Sequence, residues 1–208
     1  MPDFRLEKKF AKKGYTCIAG VDEAGRGPWA GPVVAAAVIF NLNELPNSLR
    51  KGLDDSKKLS PIKRHALFDV IIENSDVGVG QASVEEIDDI NILQATFLAM
   101  GRAVEDLTRP PDFALIDGNK IPPIKCAAEA IIKGDGRSFS IAAASIIAKV
   151  TRDRMMTGLS LQHPGYGWER NMGYGTKAHK LGLDALGVTE HHRKSYKPII
   201  NILSRRES

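Results

Sequence analysis

The stretch Cys17-Ile18-Ala19-Gly20-Val21-Asp22-Glu23-Ala24-Gly25-Arg26-Gly27-Pro28-Trp29-Ala30-Gly31-Pro32 decides how the rest of the chain is read. An apolar run ends in two adjacent carboxylates. A turn built from Gly25, Gly27, Gly31 and two prolines follows, and Val33 to Phe40 resume a second apolar run. This predicts a strand, a tight turn with acids at its mouth, and a returning strand. Carboxylates at the end of a buried strand are costly to desolvate unless a partner offsets their charge, and a cation is the natural partner. Neighbouring strand residues point to opposite faces. Asp22 and Glu23 therefore reach one ion only if the strand ends between them. Alternatively, the Glu23 carbonyl serves as a ligand while its side chain reaches a second ion.

Working outward, residues 1–13 read as a basic N-terminal lead-in, and residues 14–208 as one domain whose C-terminal helical segment starts at about 177. The first strand is expected from Tyr15 to Asp22. Ser60-Pro61 pairs an N-cap with proline at the first helical position, opening a helix to about Glu73. Val77 to Ser83 reads as a strand, Ser83-Val84-Glu85-Glu86 has capping-box spacing, and Ile92 to Leu107 reads as a helix. Phe113 to Ile116 is a strand running into Asp117-Gly118-Asn119, and Ile124 to Ile132 one running into Lys133-Gly134-Asp135-Gly136. Phe139 to Met156 is the strongest helix, capped by Ser138 or Ser140. Strands first and strand–helix alternation afterwards predict an α/β fold, a mixed sheet with helices packed on it.

Composition excludes several classes. No apolar run approaches the ~18 residues of a membrane span, and the basic N-terminus lacks the apolar centre of a signal peptide, so a cytoplasmic location is expected. Cys17 and Cys126 sit in apolar surroundings and read as buried free thiols; without nearby histidines they do not make a zinc site. The net charge of +4 is unevenly spread: from Arg170 to the end there are eight Lys/Arg against three Asp/Glu, while residues 1–169 carry 21 against 22. A basic tail beside an acidic centre suits a polyanionic substrate, although a solvated basic tail is also common.

Three predicted strand ends terminate in acid: Asp22-Glu23, Asp117 and Asp135. Strand ends line up along one edge of an α/β sheet, so these carboxylates can converge there. An all-oxygen set fits Mg²⁺ or Mn²⁺ and not zinc. Asp153 is a rival fourth carboxylate, read more simply as the ion-pair partner of Lys149 four residues earlier. Gly25-Arg26-Gly27 lets backbone approach a ligand, and Arg26 can pair with phosphate. Neither the Walker pattern nor the dinucleotide fingerprint is present. Lys57, in Asp55-Ser56-Lys57-Lys58-Leu59-Ser60, is a candidate phosphate contact or part of a solvated loop. Tyr174, in Gly173-Tyr174-Gly175-Thr176, can stack on a sugar or base and read a 2′-hydroxyl, or pack on the core. Glu190-His191-His192-Arg193 reads as a helix start with exposed histidines, with a proton shuttle as the alternative.

Gly20-Val21-Asp22-Glu23-Ala24-Gly25-Arg26-Gly27-Pro28, Asp55-Ser56-Lys57-Lys58-Leu59, Ile116-Asp117-Gly118-Asn119, Lys133-Gly134-Asp135 and the run Ala143 to Asp153 occur in that order. Together they closely resemble bacterial ribonuclease HII, the type 2 ribonuclease H, over roughly residues 15 to 198. The resemblance implies a ribonuclease H-like mixed β-sheet flanked by helices, with a basic helical C-terminal segment. It implies an endonuclease that hydrolyses RNA in RNA–DNA hybrids and cuts 5′ of single ribonucleotides in duplex DNA, leaving a 3′-hydroxyl and a 5′-phosphate. By the same resemblance Asp22, Glu23, Asp117 and Asp135 are the catalytic, metal-binding acids, holding two Mg²⁺ or Mn²⁺ ions when substrate is bound. Gly25, Arg26 and Gly27 would read the 2′-hydroxyl, Tyr174 would sense the junction, and Lys57 would touch phosphate. Trp29 departs from the smaller aliphatic residue usual there and is expected to pack outside the site. A monomer is expected. The competing readings are a DNA nuclease using the same acids and a hybrid-binding protein without catalysis.

Overall fold

The computed structural model describes residues 2–41, 45–46, 49, 52–53 and 59–206. Lys57 and its neighbours Asp55, Ser56 and Lys58 lie outside the described residues. Helix α1 spans Arg5–Ala11, strand β1 Ile18–Ala24 and strand β2 Val33–Phe40. Helix α2 (Pro61–Asn74), strand β3 (Ser75–Ala82) and helix α3 (Val84–Glu105) follow. Strands β4 (Phe113–Asp117) and β5 (Ala127–Ile131) then lead through a 3₁₀ turn, Gly134–Gly136, into helix α4 (Phe139–Gln162). Three further helices close the described chain: α5 (Trp168–Asn171), α6 (Lys177–Leu186) and α7 (Lys197–Arg206).

The five strands form one mixed sheet in the order β3-β2-β1-β4-β5. β1, β2 and β3 pair antiparallel, while β4 runs parallel to β1 and β5 parallel to β4. The expected mixed sheet with helices and a helical C-terminal segment is therefore present. β1 lies at the centre because its residues are small and apolar on both faces. Ala19 and Val21 pack with Ile87, Ala95, Ala99 and Ala103 of α3 on one face. On the other face Gly20 lies against the first turn of α4, so close that a Cβ there would strike the Ser140 backbone. That approach is what the run of small residues from Ala142 to Ser145, all buried, permits. α2 packs Leu67 and Ile71 on the α4 side of the same sheet.

Local signals set the helix starts. Ser60 Oγ accepts from Lys63 N–H, Ser83 makes both halves of a capping box with Glu86, and Ser138 accepts from Ile141 N–H. The capping box and the helix expected from Ile92 belong to one element, bent at Asn91, whose φ is +65°. The Asn91 side chain caps the second half by accepting from Leu93 and Gln94 N–H at 3.0 and 3.2 Å. α4 outruns its expected end at Met156 by six residues and stops at Gln162. β1 starts later and ends later than Tyr15–Asp22, because its pairing with β2 continues to Ala24↔Val34.

Within the basic lead-in, α1 is docked on the sheet. Phe10 is buried and its ring stacks on Phe113, 4.0 Å between centroids. Glu7 is 2% exposed, and its Oε1 accepts from Ser138 Oγ, Ser140 N–H and Ser140 Oγ at 2.6–3.0 Å. A carboxylate there satisfies donors of the α4 N-terminus and meets the positive end of its dipole. Glu7→Ala should therefore destabilise the protein by about 1–3 kcal/mol in urea titrations, the cost of leaving buried donors unpaired. It should also expose residues 1–13 to limited proteolysis; an unchanged midpoint with unchanged protection would contradict the clamp.

Candidate active site

β1, β4 and β5 are parallel, so their C-terminal ends share one edge of the sheet. β1 does not end between Asp22 and Glu23, which excludes the first arrangement suggested for their reaching one ion. Asp22 belongs to the α4 face, is 5% exposed, and hydrogen-bonds Ser145 of α4 and the Glu23 N–H, the latter at 2.7 Å. Glu23 leaves the opposite face, and its Oε1 lies 3.3 Å from Nη1 of Arg26. Burial first, and then the charges of Glu23 and Asp117, push the Asp22 carboxyl well above the usual carboxylate range.

The register Val21↔Ile116 makes Asp22 and Asp117 the next pair across the β1–β4 ladder. Asp117 Oδ1 accepts from Gly134 N–H at 2.6 Å, which ties the 3₁₀ turn to the end of β4. Asp135, the next residue, thereby comes to the same edge, its Oδ1 accepting from Gly136 N–H at 2.8 Å. Asp22, Glu23 and Asp117 thus share one rim, and Asp135 follows one residue after the Gly134 N–H that binds Asp117. Among the described residues the group of three potential ligands within 4.8 Å of one another is His163, Glu190 and His191, away from these acids. Asp153, the rival, is an ion-pair partner: Lys149 Nζ is 2.6 Å from its Oδ1.

Beside Asp22 opens a cleft of about 690 Å³ lined by Glu23, Gly25, Arg26, Gly27, Ile92, Ser145, Lys149, Arg152 and Tyr174, among others. It joins Glu23, the glycine turn and Tyr174, which lie far apart in the chain. Tyr174 is 49% exposed and stands opposite Gly27, so it faces the cleft and is not packed in the core. Beneath it lies Trp29. Its N–H donates to Gly173 O at 2.8 Å, and its ring fills the space where a side chain on Gly175 would go. Trp29 therefore supports the Tyr174 loop from below.

Two buried arginines shape the turn. Arg152 donates to the carbonyls of Ala30, Pro32 and Met172 at 2.9–3.1 Å. Arg193 donates to the carbonyls of Gly25, Arg26, Gly31 and Pro32 and to the Tyr196 hydroxyl at 2.5–3.2 Å. Desolvation, with the neighbouring Arg193 charge, lowers the Arg152 pKa to about 10, so it remains charged at neutral pH. Gly25 has φ +96°, and a Cβ there would collide with the Arg152 guanidinium, so no other residue fits. The C=O and N–H of one trans peptide point in opposite directions. With the Gly25 and Arg26 carbonyls on Arg193, the N–H groups of Arg26 and Gly27 point away from it.

The segment Glu190-His191-His192-Arg193 is a turn, not a helix start, and His192 and Arg193 are fully buried. His192 Nδ1 accepts from Thr189 N–H at 3.0 Å, so its Nε2 carries the proton that faces His179 Nε2, also at 3.0 Å. Trp168 Nε1–H donates to the same His179 nitrogen at 3.1 Å, which leaves His179 Nδ1–H to donate to Tyr174 O. Both imidazoles are held neutral. Burial and the nearby His179 lower His192 to about 3. This rules out an exposed histidine pair. The sequence reading also missed Ser145, Arg152 and Arg193 as parts of the site. Their contacts to the first strand and the glycine turn span 120 residues or more of chain, and nothing local marks them.

A buried central strand ending in acids, a second acid in register and a glycine turn lining one cleft define a ribonuclease H-type architecture. A crystal structure of ribonuclease H2 from Pyrococcus horikoshii shares it, with a TM-score of 0.78 and 28% identity over 93% of this chain and 100% of that one. A family model described as Ribonuclease HII matches residues 19–199. Ribonuclease HII of Ruegeria pomeroyi is 58% identical over 97% of this chain and 85% of its own length. That of Rhodospirillum rubrum is 54% identical over 99% and 93%. The chain belongs to the ribonuclease HII family, and with it to the nucleases that hydrolyse the RNA strand of RNA–DNA hybrids.

The raised pKa of Asp22 has a consequence for stability. The folded state binds this proton more tightly than the unfolded chain, whose value is 3.8. Without bound metal, stability should therefore fall as pH rises from about 4 through the folded pKa. Asp22→Asn removes that penalty. In chelator, the variant should melt at a higher temperature than its parent at pH 7, and the gap should close below about pH 3.5. A lower melting temperature at pH 7 would show the Asp22 charge to be stabilising.

Proposed function

We propose that the chain is an endoribonuclease that cuts on the 5′ side of ribonucleotides, both in RNA–DNA hybrids and where a single ribonucleotide lies in duplex DNA. The products would be 3′-hydroxyl and 5′-phosphate ends. The observation that carries this reading is the common cleft of Glu23, Gly25, Arg26, Gly27 and Tyr174 beside the buried Asp22. Asp22, Glu23, Asp117 and Asp135 are assigned as the acids that hold Mg²⁺ or Mn²⁺, two ions with substrate bound. The donor set supports this: it is all oxygen, and Asp22 is buried against the charges of Glu23 and Asp117, an excess a divalent cation would neutralise. Ions held there would supply Lewis-acid stabilisation of the phosphate and a water of lowered pKa.

The chain's own residues do the selecting. The Arg26 and Gly27 N–H groups, turned away from Arg193, are donors for a ribose 2′-hydroxyl. DNA has nothing there to accept them. Tyr174 offers a ring face to the nucleotide beyond the junction, held by the His179 contact to its carbonyl. Arg26 and Lys149 place positive charge on the cleft wall for the backbone phosphates. The basic C-terminal segment, with Lys177, Lys180, Lys194 and Lys197, extends that field for the duplex. Lys57 is retained as a phosphate contact on the resemblance alone. The protein is proposed to act as a monomer, with residues 14–208 as its single catalytic domain.

A duplex with one embedded ribonucleotide, its all-deoxy counterpart and a hybrid, each assayed with Mg²⁺, Mn²⁺ or chelator, tests the reading. Cleavage should map 5′ of the ribonucleotide, be absent on the all-deoxy duplex, and stop in chelator. Asp117→Asn should lower the rate by at least about 10²–10³, as loss of charge stabilisation at a reacting phosphate does. Its affinity for the hybrid should stay within about threefold. Full activity in that variant would remove the assignment of the acids. Tyr174→Ala should lose the equivalent of one stacking contact, about 1–3 kcal/mol, on the single-ribonucleotide duplex and less on the hybrid. An equal loss on both would make Tyr174 a general contact and not a junction sensor.

A further inference from the structure

At the far end of α4, outside the cleft, three Lewis-basic atoms converge. His163 ends the helix, its N–H closing on Leu159 O at 2.9 Å. Across from it stand Glu190 and His191, in the turn before α7. Oε1 of Glu190 is 3.7 Å from Nε2 of His163 and 3.7 Å from Nε2 of His191, and the three ligand atoms all lie within 4.8 Å of one another. The two rings meet edge to face, 4.7 Å between centroids. Both imidazoles are about three-quarters buried, 24% and 27% exposed, while Glu190 is 66% exposed.

These contacts are too long for hydrogen bonds, whose donor–acceptor distances run to about 3.2 Å. They are close to the edges of a coordination polyhedron. With Zn–N and Zn–O bonds of about 2.1 Å at tetrahedral angles, neighbouring ligand atoms stand about 3.4 Å apart. Closing the shell needs the Glu190 carboxylate to move by a few tenths of an ångström and the two imidazoles, whose ligand atoms lie within 4.8 Å, to tilt toward it. The setting favours a cation: the C-terminus of α4 presents the negative end of its dipole. Glu85 in the first turn of α3, held on the Ser83 hydroxyl, adds negative charge on the His191 side. Two imidazoles and one carboxylate suit a borderline divalent ion such as Zn²⁺, Co²⁺ or Ni²⁺, and not Mg²⁺, which takes oxygen.

We propose that His163, Glu190 and His191 bind one divalent transition-metal ion of the zinc class, separate from the acidic rim, which staples the 190–193 turn to the end of α4. The exposed side of Glu190 leaves room for water to complete the shell. The turn so fastened is not peripheral. His191 O accepts from Gly31 N–H at 2.9 Å, and Arg193 N–H donates to Trp29 O at 2.8 Å. His192 belongs to the buried imidazole pair, and Arg193 holds the glycine turn. An ion at this site ties α4 to the segment that carries Arg193, so its effect is on stability and not on the chemical step.

The test uses the full chain carrying Asp22→Asn and Asp117→Asn, so that the acidic rim is disabled, after treatment with chelator. Titration with Co²⁺ should give the visible absorption of a histidine–carboxylate site, saturating at one equivalent. Zn²⁺ should displace it and raise the melting temperature. Adding His163→Gln or Glu190→Gln should weaken binding by more than the roughly 10–100-fold that follows loss of an outer-shell partner, and should abolish the Zn²⁺-dependent thermal shift. In the otherwise unaltered protein, His163→Gln should leave hybrid cleavage in Mg²⁺ unchanged, which shows that it folds. Failure to bind Co²⁺ stoichiometrically, or a Co²⁺ spectrum that survives His163→Gln, would overturn the proposal and leave the trio as a hydrated ion pair. Neither result bears on the assignment of the four acids, which the cleavage assays decide separately.

Discussion

Two guanidinium groups buried among backbone carbonyls hold the structure on which the site depends. Arg152 and Arg193 sit inside the loop from Gly25 to Pro32 and take its carbonyl oxygens from two sides. A buried charge is tolerated when its donors are all met, and a guanidinium has five donors in a rigid fork. A turn rich in glycine can aim several carbonyls at one point, which a regular strand or helix cannot. The turn and the arginines therefore specify each other. A lysine at position 193 would carry the charge but could not span the Gly25, Arg26, Gly31 and Pro32 oxygens, because its donors radiate from one atom.

This pairing also determines what happens at the acids. Had either arginine been spent on Asp22, the rim would be a salt bridge with little need of a cation. Instead the arginines are satisfied by dipoles. What favours the Asp22 charge is hydrogen bonding from Ser145 and the Glu23 N–H. What opposes it, more strongly, is burial together with Glu23 and Asp117. Negative charge thus accumulates at the sheet edge a short distance from positive charge held in the turn. The separation is kept by geometry: β1 carries Asp22 on the α4 face, and the chain then turns before it meets Arg193. Stability is given up at the rim and recovered in the turn.

The fold was legible where its causes are local. Ser60, Ser83 and Ser138 announce their helices because a cap acts within three residues. The strands could be read because their apolar runs are short and end in glycine, proline or acid. Asp22, Glu23, Asp117 and Asp135 stand out in the sequence for the same reason, as acids at or just past the end of an apolar run. The bend at Asn91 was not legible, since its φ of +65° is a conformation that an asparagine in a helical pattern permits but does not require. The burial of His192 and Arg193 was invisible because their partners, His179, Gly25 and Gly31, lie 13 to 168 residues away. A string of charged and imidazole side chains reads as surface unless one knows that a glycine turn with inward carbonyls is waiting for it.

Trp29 shows how a large ring can be placed in a glycine turn. A large ring in the glycine turn would obstruct the cleft if it faced inward. Its N–H is instead tied to Gly173 and its carbonyl to Arg193, which turns the ring away from the substrate side and under the Tyr174 loop. There it takes the place of the side chain that Gly175 lacks, faces His179 at 5.8 Å, and lies under the Lys180 ammonium at a similar distance. The Tyr174 backbone is thus held from two directions, by the His179 imidazole at its carbonyl and by the Trp29 ring beneath the next residue. A half-exposed ring on a fixed backbone is a preorganised contact surface. The ring itself stays half exposed, so the loop is ordered by the fold itself while one face of the ring remains open to the cleft.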